Sequence, residues 1–159
     1  MSNEKNKDFN AMLHDSKGMP KIISIKDEKS FKRYGGSRML LSPPIEYDEV
    51  MRRVPRGKLL TVGKIREYLA RRSGADFTDP LTAGIFVAIA AWASHQRNGD
   101  ETPYWRTLKA CGELNPRYPE GLEAQKQKLK AEGHKIVQKG SKNPRYFVED
   151  YENSLFDLE

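Results

Sequence analysis

One cysteine and three histidines limit the chemistry this chain can carry. Cys111 stands alone, so no disulfide within the chain is possible, which fits a reducing compartment such as the cytoplasm. His14, His95 and His134 are scattered, none at zinc-ligand spacing from Cys111, so no metal site and no cofactor are expected. A thiolate nucleophile needs a neighbouring base or cation to lower its pKa. No histidine stands near Cys111 in sequence, and the residue reads as an ordinary turn cysteine beside Gly112.

Charge points to recognition. The 159 residues hold 28 Lys and Arg against 22 Asp and Glu, a net charge of +6. That balance favours anionic partners, nucleic acid first and acidic membrane surfaces second. The start of the chain lacks the apolar core of a secretory signal. The longest apolar run, Ile85 to Ala93, is far too short to span a bilayer.

The elements that position these residues follow from periodicity and punctuation. Residues 1–44 carry nine basic and five acidic side chains with no sustained period, and Ser42-Pro43-Pro44 closes them off. They read as a basic arm, flexible or loosely docked, with a short strand at Ile22, Ile23 and Ile25 and a turn at Tyr34-Gly35-Gly36. Tyr47, Val50, Met51 and Val54 share one face of a first helix over 45–54. Thr61 is placed to cap a second helix, about Gly63 to Arg72. Asp79-Pro80 opens a third, running to about His95. Tyr104–Lys109 and Glu113–Asn115 read as strands paired around Gly112. Glu120–Glu132 reads as a helix stopped by Gly133, and Ile136-Val137 with Tyr146–Val148 as a hairpin. The last stretch, 149–159, is an acidic tail with five carboxylates and no basic residue. The fold class expected is mainly α with small β hairpins, a winged helix-turn-helix over 45–148. A small helical domain with no nucleic-acid role has the same outline.

Three motifs in order carry a resemblance. Val54-Pro55-Arg56-Gly57 leads into Thr61-Val62-Gly63-Lys64-Ile65. Thr102-Pro103-Tyr104-Trp105-Arg106-Thr107 follows. Gly112, Leu114, Tyr118, Gly121 and Lys130-Ala131-Glu132-Gly133 complete the series. Over roughly residues 46–137 the chain resembles the alkylguanine-DNA alkyltransferases, and in particular their alkyltransferase-like branch, which binds alkylated guanine without repairing it. The resemblance puts Tyr104 at the alkyl-acceptor cysteine and Trp105 at the activating histidine. A phenol of pKa about 10 is a poor nucleophile at neutral pH and an indole is no base, so it implies no alkyl transfer and no catalytic residue. Two aromatics at such a site can stack on an extruded base or fill the space left by the lost chemistry, and both stay open. It implies a lesion pocket of Pro103, Tyr104, Trp105, Arg106 and Tyr118, with Arg106 as scaffolding. It also implies that Pro80 to Gly84 lacks the family's intercalating arginine and that Val62 replaces its phosphate-turning tyrosine, which weakens base extrusion.

The partner expected is double-stranded DNA, with other DNA-repair proteins beside it, for a monomeric cytoplasmic protein. Thr61, Lys64, Arg66, Arg71, Arg72, Thr82 and Ala83 are the DNA-contact candidates on the helix pair. Lys139, Lys142 and Arg145 are those on the hairpin. An alkyltransferase using Cys111, a regulator reading normal sequence and a protein-interaction module remain open alternatives.

Overall fold

The computed structural model describes residues 6–159 and is mainly helical with three small sheets. Helix α1 (Phe9–His14) starts at Asp8, whose carboxylate accepts the Ala11 N–H at 3.0 Å. Strand β1 (Lys21–Ser24), helix α2 (Glu28–Tyr34) and strand β2 (Arg38–Leu41) follow. Gly35 ends α2 in the left-handed conformation, φ 78°, that glycine adopts at low cost. Helix α3 (Pro44–Arg52) leads to β3 (Leu60–Thr61), α4 (Val62–Ser73), β4 (Phe77–Thr78) and α5 (Pro80–Gln96). Beyond them lie β5 (Thr107–Leu108), α6 (Gly121–Ala131), β6 (Ile136–Lys139) and β7 (Arg145–Val148).

The basic arm expected over residues 1–44 is packed, not loose; residues 1–5 of it lie outside the described residues. Phe9 and Leu13 are buried, and the Phe9 ring stacks on Trp92 of α5 at 5.6 Å. The Asn10 amide donates to the Ala93 carbonyl at 3.0 Å. β1 pairs antiparallel with β2, which pairs in parallel with β4, so the arm extends the sheet beside α4. Helices of six and seven residues are too short to show a period in sequence, which hides this packing.

Both predicted caps of the central helix pair form. Thr61 Oγ1 accepts the Lys64 N–H at 3.2 Å, and Asp79 accepts from the Leu81 and Thr82 N–H groups at 3.1 and 3.3 Å. Ile65 and Leu69 of α4, Val87 and Ala90 of α5, and Tyr47 and Met51 of α3 meet in one core with Leu59, Leu60, Leu108 and Leu129. Each such leucine contributes about 1.5–3 kcal/mol by leaving water.

The strand pair expected around Gly112 does not form as such. Tyr104–Arg106 is a 3-10 turn, and β5 pairs in parallel with β3. Glu113 bridges to Phe147, and the Leu114 N–H donates to the Tyr146 carbonyl at 2.9 Å. Cys111 and Gly112 both take positive φ, 63° and 81°, and turn the chain away from the strand before them. The hairpin of β6 and β7 does form, with Ile136 opposite Val148 and Lys139 opposite Arg145.

The acidic tail is also docked. The Leu59 N–H donates to the Ser154 carbonyl at 2.9 Å, and the Phe156 N–H to the Leu59 carbonyl at 2.8 Å. Leu158 is buried, its carbonyl accepts from Arg53 at 3.0 Å, and Glu159 pairs with Arg71. Among the described residues no helix is long and apolar enough to cross a membrane.

Candidate nucleic-acid interface

The segment with the two aromatics is held by a buried polar cluster. Asp48 on α3 accepts from the Thr102 hydroxyl at 2.6 Å and from Arg52 at 2.7 Å. The Thr102 N–H donates to the Ser94 hydroxyl on α5 at 2.8 Å. Thr102 therefore fixes the start of the 3-10 turn against two helices. From there Tyr104 packs edge-on to Trp105 and to Tyr118, with ring centroids 5.4 and 5.3 Å apart. Tyr104 is 5% exposed and Tyr118 2%. Burial, with Glu120 and Glu101 nearby, pushes the Tyr104 phenol up to about 12, so it stays neutral and is a weaker nucleophile than a free tyrosine. The Tyr118 phenol, raised by burial, donates to the Thr107 carbonyl at 2.8 Å.

Behind them lies Glu132, its side chain 3% exposed. Its carboxylate accepts the Trp105 indole N–H at 3.0 Å and a fork from Arg106, Nε at 2.9 Å and Nη2 at 2.7 Å. Burial opposes ionisation here, but the bonds from Arg106 and Trp105 and the Arg106 charge outweigh it, and the carboxyl lies below the usual range. Arg106 also donates to the Val54 carbonyl at 2.8 Å. It is the scaffold that the sequence suggests, and Glu132 is the partner that sequence reasoning missed.

The five residues expected to form a lesion pocket line none of the described clefts. One of these clefts holds about 640 Å³. Tyr104, Trp105 and Tyr118 fill space, because their faces are spent on one another and on the core. The cleft lies between the starts of α4 and α5, where Thr61, Val62, Gly63, Pro80, Gly84 and Val87 form one side. Ala110, Cys111, Asn115 and Tyr151 form another. Its volume is within the roughly 300–1,000 Å³ of ligand sites. Lys64, Arg66, Lys109 and Arg117 border it, against the acidic Glu67 and Glu152.

The predicted phosphate contacts separate accordingly. Arg66 borders the cleft and makes no ion pair among the described residues. Lys64 borders the cleft too, 3.7 Å from Glu67. Arg71 is paired with Glu159 and Arg72 with Glu46, the latter at 3.2 Å. Arg145 is forked onto Glu113 at 2.7 and 2.9 Å, which holds that carboxyl below its usual range and closes the hairpin onto the 113 segment. Lys139 lies 4.4 Å from the Phe147 ring centre, while Lys142 is exposed at the hairpin tip. Ala83 is fully buried, so it cannot reach a partner. The Thr82 hydroxyl is donated to Asp79 at 2.9 Å, and Thr61 is 8% exposed with its oxygen spent on the cap. Lys109, 3.8 Å from Glu113, and Arg117, neither expected from the sequence, border the cleft because the turn at Cys111-Gly112 and the segment after it face α4 and α5.

No protein-family model and no curated protein sequence matches the chain. Its fold is shared with solved protein structures containing DNA. One is S. pombe Atl1 in complex with damaged DNA containing O6-carboxymethylguanine, at a TM-score of 0.51 and 20% identity. Another is S. pombe ATL in complex with DNA, at a TM-score of 0.50 and 20% identity. Each likeness covers 72% of this chain and 94% of the other.

Proposed function

We propose that this chain binds double-stranded DNA and alkylated guanine within it, and transfers no alkyl group. In this reading α4 and α5 act as a helix-turn-helix, the β6–β7 hairpin as a wing, and other DNA-repair proteins follow the bound lesion. The observation that carries it is the cation-bordered cleft at the starts of α4 and α5, on a fold shared with a complex of damaged DNA. Phosphates beside that cleft would meet Lys64, Arg66, Lys109 and Arg117. Absence of transfer rests on Tyr104, a neutral, buried phenol where the resemblance puts a thiol.

Cys111 supports a second reading, because its exposed thiol borders the same cleft. No histidine lines that cleft to activate it. One experiment separates the two. A duplex with O6-alkylguanine and its unmodified twin are titrated side by side, and a radiolabelled alkyl group is followed. Expected are binding of both duplexes and no label on the protein. Label retained by the parent chain and lost in Cys111→Ser would establish transfer instead.

A further inference from the structure

Leu81 is the most exposed large apolar side chain among the described residues, at 74%, against 55% for Phe31 and 39% for Ile85. It occupies the second position of α5, immediately after Pro80. Its own N–H is held by Asp79 at 3.1 Å, and the same carboxylate takes the Thr82 N–H and hydroxyl. The backbone beneath it is therefore fixed on a helix of 17 residues. Pro80 before it and Gly84 one turn after it both line the cation-bordered cleft. A Cβ at Gly84 would meet nothing within 4 Å, so the space beside Leu81 is open.

We propose that Leu81 is a wedge that enters the base stack of a bound duplex and pushes a base toward that cleft. The inference rests on the duplex-binding reading above. Exposure alone would say little of a leucine, but this one stands on a fixed helix start beside a cleft bordered by cations, and apolar side chains inserted between base steps unstack and kink duplex DNA. The occupant is chosen by charge, since four cations border the cleft that Pro80 and Gly84 line, against two carboxylates. A partner protein of ordinary apolar surface would leave those cations unmatched. The wedge also gives extrusion a residue in a segment that has no arginine.

The test uses the full chain and a duplex with 2-aminopurine beside the target base. Binding of the parent chain raises the fluorescence of the unstacked analogue. Leu81→Ala is expected to lose most of that rise and about tenfold in affinity, or about 1.4 kcal/mol, with the salt slope unchanged. Leu81→Met keeps both properties. Arg66→Ala lowers the slope by about one yet keeps the rise once saturated. Equal melting temperatures show that the leucine variants fold. Leu81→Ala with the parent's affinity and fluorescence rise would overturn the wedge alone, and a role in a protein contact would give that result. A parent chain that binds no duplex would overturn the wedge and the DNA reading together.

Discussion

The indole N–H of Trp105 donates to Glu132 at 3.0 Å, joining the second of the two aromatic positions to the end of α6. With the Arg106 fork on the same carboxylate, Glu132 links the 3-10 turn, the Val54 carbonyl and the Gly57 N–H. Removing its charge leaves a largely buried guanidinium without a counter-ion. Glu132→Gln should therefore cost about 3 kcal/mol, or about 6–12 °C in Tm for a chain this size. The folded carboxyl lies below its unfolded value. Its share of stability is complete above pH about 4.3 and is lost as the pH falls through the folded value. The variant should show a shallower acid limb in urea melts. Parallel acid limbs would contradict this.

Tyr104 and Tyr118 touch edge-on but should respond differently to loss of the hydroxyl. Tyr118→Phe leaves the buried Thr107 carbonyl without its donor and should cost about 1–2 kcal/mol. The Tyr104 hydroxyl makes no hydrogen bond among the described residues, so Tyr104→Phe should change stability by less than about 0.5 kcal/mol. Because the Tyr104 phenol is raised to about 12, its contribution to stability is present below pH about 10 and fades as the pH rises toward that folded value. Thermal melts of both variants from neutral to alkaline pH check these outcomes.

Gly112 seats the tail. A Cβ there would stand 2.5 Å from Tyr151 Cδ1, and φ is +81°. Gly112→Ala combines left-handed strain of about 1–2 kcal/mol with overpacking of about 1–3 kcal/mol. A Tm lowered by about 5 °C or more is expected, with faster proteolysis within 149–159. A tail as resistant as the parent's would show that Tyr151 relocates without cost.

The sequence told most where a local signal was strong. Thr61 and Asp79 marked the starts of α4 and α5, and the spacing of Tyr47, Val50 and Met51 gave α3 its buried face. It told least where long-range contacts decide. Phe9 and Leu13 sit on a helix of six residues, and the tail docks through backbone pairing at Leu59 that no side-chain pattern announces. At the site, Arg106 was legible as scaffolding, while Glu132, 26 residues on, was not. Charge counting cannot see pairing, so Arg71, Arg72 and Arg145 read as phosphate contacts although each holds a carboxylate. The lesion pocket was drawn around Tyr104, whereas the open cleft lies between α4 and α5. On α5, Leu81, Ile85, Ala88, Ile89 and Trp92 fall on one stripe by spacing, which predicts a buried face, yet Leu81 is 74% and Ile85 39% exposed.

Duplex binding through the cleft cations is tested most directly by titrating the parent chain with duplex DNA over a salt series of about 50–200 mM. With about 4–6 phosphates neutralised, log K should fall against log salt with a slope of about −4 to −5. Arg66→Ala and Arg117→Ala should each flatten it by about one. Arg71→Ala and Arg72→Ala should change it less, because both residues are already paired with carboxylates. A parent slope near zero, or one that Arg66→Ala and Arg117→Ala leave untouched, would contradict the assignment of this cleft to DNA.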